Sequence, residues 1–198
     1  MGTEKNKHWY NRVYEASSKD KKSTYMSQPE KTYYYETWRK VVEIIQAKGY
    51  RAVLDIGCGP GHFGKMCLKN KIGYLGWDFS ETAIRMAKKM NPGEEYRFKV
   101  CADITTLKDI TFPGVVTMTE VLEHIEKDIK VLNAIFCKLL IVTVPSYDYR
   151  SHVRFFPTEE DVRKRYEEVI PIEAIYQVPI SPKNTIFIIV ADYEKAKV

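Results

Sequence analysis

Val53-Leu54-Asp55-Ile56-Gly57-Cys58-Gly59-Pro60-Gly61 opens on an aliphatic run, closes that run with an acid, and then places glycine at every second position. Val53, Leu54 and Ile56 have the continuous apolar character of a strand buried on both faces, as in a parallel sheet covered by helices. The glycines let the chain turn sharply at the strand's end and bring bare backbone against a ligand, so the stretch reads as a nucleoside-binding loop. A dinucleotide fingerprint needs G-x-G-x-x-G. Here His62 stands where the last glycine of that pattern falls, which argues against a nicotinamide dinucleotide.

Outward from this loop, strand and helix signals alternate. Ala52 to Ile56 is the strand itself, and a helix is expected from about Gly61 to Lys69. Ile72 to Asp78 reads as a second strand, and Ser80, with Glu81 behind it, opens a helix running to about Met90, which completes a βαβ unit. Upstream, Tyr34, Trp38, Val41, Val42 and Ile45 recur at spacings of three and four within Glu30 to Lys48, an amphipathic helix that Gly49 ends. Residues before about Pro29 are polar but too rich in tyrosine and tryptophan for a linker, and read as an N-terminal cap.

Downstream, Tyr96 to Cys101 and Val115 to Thr119 read as the third and fourth strands, and Asp128 to about Phe136 as a short helix. Leu139 to Val144 is β-branched and aliphatic, a central strand stopped by Pro145. Thr158 begins a helix in the Thr-x-x-Asp manner, with Asp161 as its partner. Two extended runs, Ile172 to Val178 and Thr185 to Asp192, form a closing antiparallel pair. The expected fold is α/β: a Rossmann-like open sheet, mostly parallel with one antiparallel C-terminal hairpin strand, and helices on both faces.

Composition bounds the alternatives. A chain of 198 residues with 44% hydrophobic and 29% charged residues suits one globular domain, divided here into a cap and helix over 1–48 and a core over 49–198. No run approaches the roughly 18 apolar residues that span a bilayer, and the N-terminus is unlike a secretory signal, so no membrane and a cytoplasmic location are expected. Cys58, Cys67, Cys101 and Cys137 form no C-x-x-C pair and are read as reduced thiols. The net charge of +5 comes from scattered basic residues with no arginine-rich tract, a weak argument for nucleic acid.

Leu54 to Gly61 resembles the first motif of class I S-adenosylmethionine-dependent methyltransferases, and further positions agree in order from about Val53 to about Val144. The resemblance implies S-adenosyl-L-methionine as methyl donor, released as S-adenosylhomocysteine, bound across the carboxyl ends of parallel strands. It assigns Gly57, Gly59 and Gly61 to the loop under the donor and Asp55 to the amino end of the methionine moiety. Asp78, at the end of the second strand, is placed to accept both ribose hydroxyls; a turn acid is the competing reading. Phe79 covers one adenine face, and Asp103 with the Ile104 backbone meets the adenine amino group, unless Asp103 is a solvated loop acid. Carboxylates suit a ligand that carries a sulfonium and an ammonium, where a phosphate would be repelled.

The second strong signal is Thr119-Glu120-Val121-Leu122-Glu123-His124-Ile125, in which one helical turn would put Glu120, Glu123 and His124 on a single face. Three readings are open. Glu120 contacts the donor while Glu123 and His124 merely pair; or the carboxylates and imidazole bind a divalent ion, as in similar segments of polyprenyl-quinone O-methyltransferases and small-RNA 2′-O-methyltransferases, with His152 as a distant fourth ligand; or His124 or His152 is a general base. Glu120 is assigned to the donor and His124 and His152 to catalysis, and no residue is assigned to a metal. Ser151 to Glu160 resembles an element that lies over the acceptor pocket, which makes His152 and Arg154 candidate substrate contacts, while Phe155 and Phe156 are read as core packing.

The expected activity is in-line methyl transfer to a small-molecule acceptor. The alternatives are a metal-using RNA 2′-O-methyltransferase and a catalytically silent nucleoside-binding protein. A nicotinamide-dependent reductase is disfavoured by the glycine spacing.

Overall fold

A computed structural model of the chain describes residues 2–20 and 23–195. Its strands form a seven-stranded sheet in the order β3-β2-β1-β5-β7-β9-β8. The chain packs as two compact units, Lys5–Ala102 and Asp103–Val198, the second joined by Met1–Glu4.

In the first unit, β1 (Ala52–Ile56), β2 (Gly73–Asp78) and β3 (Phe98–Val100) are parallel, with Asp55 opposite Gly76 and Asp78 opposite Val100. Val53, Leu54 and Ile56 are buried, as a strand covered on both faces requires. Helices α2 (Tyr35–Ala47), α3 (His62–Lys69) and α4 (Glu81–Met90) follow the expected periods, and Ser80 caps α4 by accepting from the Ala83 amide at 3.1 Å. Three boundaries differ from the sequence reading. The cap contains a helix, α1 (Lys7–Lys19), started by Asn6, whose side chain accepts from the Trp9 amide. The amphipathic helix begins at Tyr35 rather than Glu30, because Pro29–Lys31 forms a separate 3-10 turn. The third strand keeps only Phe98–Val100, since Glu95–Arg97 is a 3-10 turn in which Tyr96 stands 64% exposed.

In the second unit, β5 (Val115–Thr119) and β7 (Leu139–Pro145) are parallel, β7 pairs antiparallel with β9 (Thr185–Asp192), and β9 pairs antiparallel with β8 (Ile172–Pro179). Every residue of β7 is buried, so its aliphatic side chains each contribute on the order of 1.5–3 kcal/mol of apolar burial. Helix α5 (Asp128–Asn133) ends earlier than expected because Ile135–Phe136 leaves it as β6, pairing parallel with β4 (Ile110–Thr111) in a small second sheet. Helix α6 (Glu159–Tyr166) starts in a full capping box between Thr158 and Asp161. Phe156 is buried against Tyr166, with ring centroids 5.6 Å apart. No helix among the described residues is long and apolar enough to cross a membrane.

Candidate functional site

The glycine loop after β1 keeps its own donors occupied. The Gly57 and Cys58 amides both donate to the Trp77 carbonyl (2.7 and 3.0 Å), the Gly59 amide donates to Asp78 Oδ2 (2.9 Å), and the Gly61 amide donates to the Cys58 carbonyl (3.1 Å). Pro60 has no N–H. A phosphate cradle works by turning several such amides toward an anion, and this loop turns none of these four outward. A ligand resting here must therefore supply hydrogen-bond donors, as ribose hydroxyls do, rather than seek them.

Asp78 is the acceptor they would meet. It is 5% exposed, its Oδ1 accepts the Ser80 amide at 2.8 Å, and burial pushes its pKa up to about 6 against the opposing pull of the backbone amides. Gly61 sits at φ +82°, and a Cβ there would fall 2.8 Å from Asn91 Nδ2 and 2.9 Å from the Ala87 side chain, so only glycine lets the loop close on α4. Asp55 is fully buried and accepts the Tyr74 phenol at 2.6 Å, a bond that braces β1 against β2.

Above the loop lies helix α1, which the sequence reading left without a site residue. Tyr14 is buried, and its hydroxyl lies 3.5 Å from the position a Gly59 Cβ would take. Burial, with Asp78 nearby, raises its phenol pKa well above the ordinary value, so it stays a neutral donor. Tyr10 packs on Phe79 (5.4 Å between centroids), while Ser80 donates to Asn11 Oδ1 at 2.6 Å and Lys7 pairs with Glu81 at 2.7 Å. The sequence signal for this roof was the four-residue spacing of Tyr10 and Tyr14 behind an Asn cap. His62, in place of the missing glycine, is buried; its Nε2 lies 3.0 Å from the Ser27 carbonyl and its ring stacks on Trp38.

In the second unit, Asp103 caps a 3-10 turn over Ile104–Thr106, its Oδ1 accepting both the amide and the hydroxyl of Thr105 (2.9 and 2.8 Å). Glu120 follows β5 at φ +57°, and its amide donates to Thr143 Oγ1, which donates back to Glu120 Oε1, both at 2.9 Å. The expected helical turn is instead a 3-10 turn over Leu122–His124, with Glu120 outside it. Among the described residues, Glu120 Oε2 and both carboxylate oxygens of Glu123 are buried without a hydrogen-bond partner.

Glu123, His124 and His152 offer ligand atoms that all lie within 4.8 Å of one another. His124 Nδ1 faces the Ser151 carbonyl at 2.9 Å and His152 Nδ1 faces the Tyr147 carbonyl at 3.1 Å, so in each ring Nδ1 carries the hydrogen and Nε2 the lone pair. His124 Nε2 is 3.6 Å from Glu123 Oε1, too far for a hydrogen bond but close enough for both to face one ion. Burial lowers the His124 pKa to about 4 and that of His152 below its ordinary value. Burial raises Glu120 to about 7, and raises Glu123 well above the carboxylate range, with Glu120 adding to the effect. A histidine of pKa about 4 is a poor proton acceptor at neutral pH but a ready lone-pair donor, and a buried acid such as Glu123 stays protonated unless a cation accompanies its ionised form. The donor set, two imidazole nitrogens and carboxylate oxygen, fits a divalent ion. Arg154, read as a substrate contact, directs its guanidinium to the Leu122, Ile125 and Glu126 carbonyls.

A methyltransferase-domain family matches residues 54–140. No curated protein matches the chain. Among solved structures, magnesium protoporphyrin IX methyltransferase from Synechocystis PCC 6803 with bound S-adenosylhomocysteine is 18% identical at a TM-score of 0.68, over 94% of this chain and 98% of that one. The methyltransferase domain of a bacterial Hen1 is 17% identical at 0.63, over 81% of this chain and 100% of that one. The small RNA methyltransferase HEN1 is 16% identical at 0.62, over 80% of this chain and 25% of that one.

Proposed function

We propose that this chain acts as a class I S-adenosylmethionine-dependent methyltransferase and methylates an oxygen of a small-molecule acceptor, with a divalent ion held by Glu123, His124 and His152. The observation that carries the reading is the Glu123 carboxyl group, buried with no hydrogen-bond partner among the described residues and with an imidazole nitrogen each of His124 and His152 in the same cluster. Such an ion would lower the pKa of an acceptor hydroxyl. Methyl transfer itself needs little else: the donor's positive sulfur already activates the methyl group, so the chain's task is alignment of oxygen, methyl carbon and sulfur, and exclusion of water. The acceptor hydroxyl, acidified by such an ion, would give its proton to water before the site closes; the new bond then joins oxygen to carbon as the carbon–sulfur bond breaks, and S-adenosylhomocysteine departs.

In this reading Asp78 accepts the ribose hydroxyls, Gly57, Gly59 and Gly61 form the floor, and Phe79 packs on the adenine. Asp55, Asp103, Ile104 and Glu120 keep the donor contacts that the resemblance implies. His124 and His152 act through their Nε2 lone pairs rather than as proton acceptors.

A small acceptor is favoured over RNA by the cations around the cluster: Arg154 and Arg165 both lie on Asp128, at 3.2 and 2.7 Å, instead of being presented to phosphates. The structural neighbours include one named for a small RNA and one named for a porphyrin, so the test screens both classes. Release of S-adenosylhomocysteine is measured with hydroxyl-bearing small molecules and with short RNAs ending in 2′-hydroxyl or 2′-deoxy nucleotides, with Mg2+ or Mn2+ and with a chelator. Metal-dependent turnover of a small hydroxyl compound is expected. Chelator-insensitive turnover would overturn the ion, and turnover of RNA alone would overturn the acceptor class.

A further inference from the structure

We infer that Arg154 and Asp128 are positioning residues that set the geometry of the Glu123 and His124 ligands; this rests on the ion-binding reading above. The turn that carries these two side chains has no α-helical ladder of its own, being a single 3-10 turn over Leu122–His124 that follows a left-handed Glu120. Its outward carbonyls need donors, and one side chain supplies them. Arg154 donates to the Leu122 carbonyl at 2.6 Å, to that of Ile125, and to that of Glu126 at 3.0 Å. These three carbonyls bracket Glu123 and His124 from both sides in sequence.

The backbone beside Arg154 completes the clamp. The Val153 amide donates to the Glu123 carbonyl at 2.8 Å, and the Ser151 carbonyl accepts from His124 Nδ1. A single loop, Ser151 to Arg154, therefore contributes the ligand His152, orients the ring of His124 and fixes the main chain of Glu123. The guanidinium is 15% exposed and is itself held by Asp128, which is fully buried and 3.2 Å away. Asp128 is anchored independently: Arg165 reaches it with two nitrogens (3.0 and 2.7 Å) and the Tyr166 hydroxyl donates to it at 2.8 Å. The chain of support thus runs from α6 through Asp128 and Arg154 to the turn.

Only a planar fork with several N–H groups can serve three carbonyls and a carboxylate at once; a lysine ammonium keeps the charge but not the reach. Outer partners of metal ligands typically alter affinity by roughly 10- to 100-fold when removed. The test uses the full chain and Mn2+ alone, followed by calorimetry and by the electron paramagnetic resonance of the bound ion, with S-adenosylhomocysteine affinity as the control for folding. Arg154→Lys and Asp128→Asn are expected to weaken Mn2+ by roughly 10- to 100-fold and to change the spectrum of the ion that remains. Arg154→Ala is expected to regain affinity on addition of methylguanidine. Arg165→Lys, which disturbs the same carboxylate without touching the turn, should lose far less. Unchanged Mn2+ affinity and spectrum in a folded Arg154→Lys protein would overturn the inference while leaving the ion-binding reading intact. Absence of Mn2+ binding by the unsubstituted chain would overturn both, and that control separates the two failures.

Discussion

The loop after β1 and the turn after β5 both lie at the ends of buried parallel strands, yet they treat polar groups in opposite ways. In the loop, the amides of Gly57, Cys58, Gly59 and Gly61 all find acceptors within the protein. In and just before the turn, three carboxyl oxygens of Glu120 and Glu123 are buried with no hydrogen-bond partner among the described residues. A satisfied loop offers a ligand its shape and, in the proposed reading, one acceptor, Asp78. An unsatisfied turn resists ionisation of its acids, a resistance that a bound cation would remove. The difference supports the proposed division, with the loop suited to a ligand rich in hydroxyl donors and the turn to a positive ion.

The sharpest way to break this comparison is Glu123→Gln. Mn2+ affinity should fall by about 100-fold or more, on the order of 3 kcal/mol, because an ionised ligand is lost. The melting temperature of the ion-free protein should meanwhile fall less steeply with rising pH than that of the unsubstituted chain, since the buried acid whose raised pKa opposes its ionisation is gone. An unchanged pH slope together with retained Mn2+ binding would contradict the account of the turn. Next in size is Asp78→Asn, for which calorimetry should show S-adenosylhomocysteine binding weakened by about 1.5–3 kcal/mol, with Mn2+ affinity unaltered.

A pH titration sharpens the same point. Asp78 has its pKa raised to about 6, and its ionised form is the better acceptor for ribose hydroxyls. S-adenosylhomocysteine affinity should therefore be full above about pH 6 and fall as pH drops through it, by up to about tenfold per unit, a dependence that Asp78→Asn should abolish. The sign for folding is the reverse. An acid whose folded pKa lies above its unfolded value binds more protons when folded, so this group's contribution to stability declines as pH rises from about 4 to 6. The smallest effect expected is for Gly59→Ala. The backbone at φ +51° costs an alanine about 1 kcal/mol, while the 3.5 Å clearance from Tyr14 avoids a clash, so a drop of a few degrees in melting temperature should accompany weaker donor binding.

What the sequence disclosed follows from how local its causes are. Strands β1, β5, β7, β8 and β9 were legible because each is an apolar or alternating run with clear ends, and the caps at Ser80 and Thr158 because capping is a matter of three or four neighbouring residues. Helix α1 was obscured because Tyr14 is its one buried residue, leaving little apolar stripe to read. The β4–β6 pair, two residues in each strand, is fixed by pairing between distant segments and has no period of its own. At the candidate site, the nearness of Glu123, His124 and His152 was half visible: the first two adjoin in sequence, whereas His152 arrives through the loop that Arg154 and Asp128 anchor. The turn at 122–124 departs from an α-helix because Glu120 enters it with a left-handed backbone, a conformation that no side-chain pattern announces.

That left-handed residue carries a consequence for how this protein would respond to selection. Glycine tolerates φ +57° without strain, whereas glutamate pays about 1–2 kcal/mol to remain there, so Glu120→Gly is a substitution that heat tolerance alone would reward. A lineage bred only for thermal survival should drift toward it and lose the carboxylate that the proposed donor site uses.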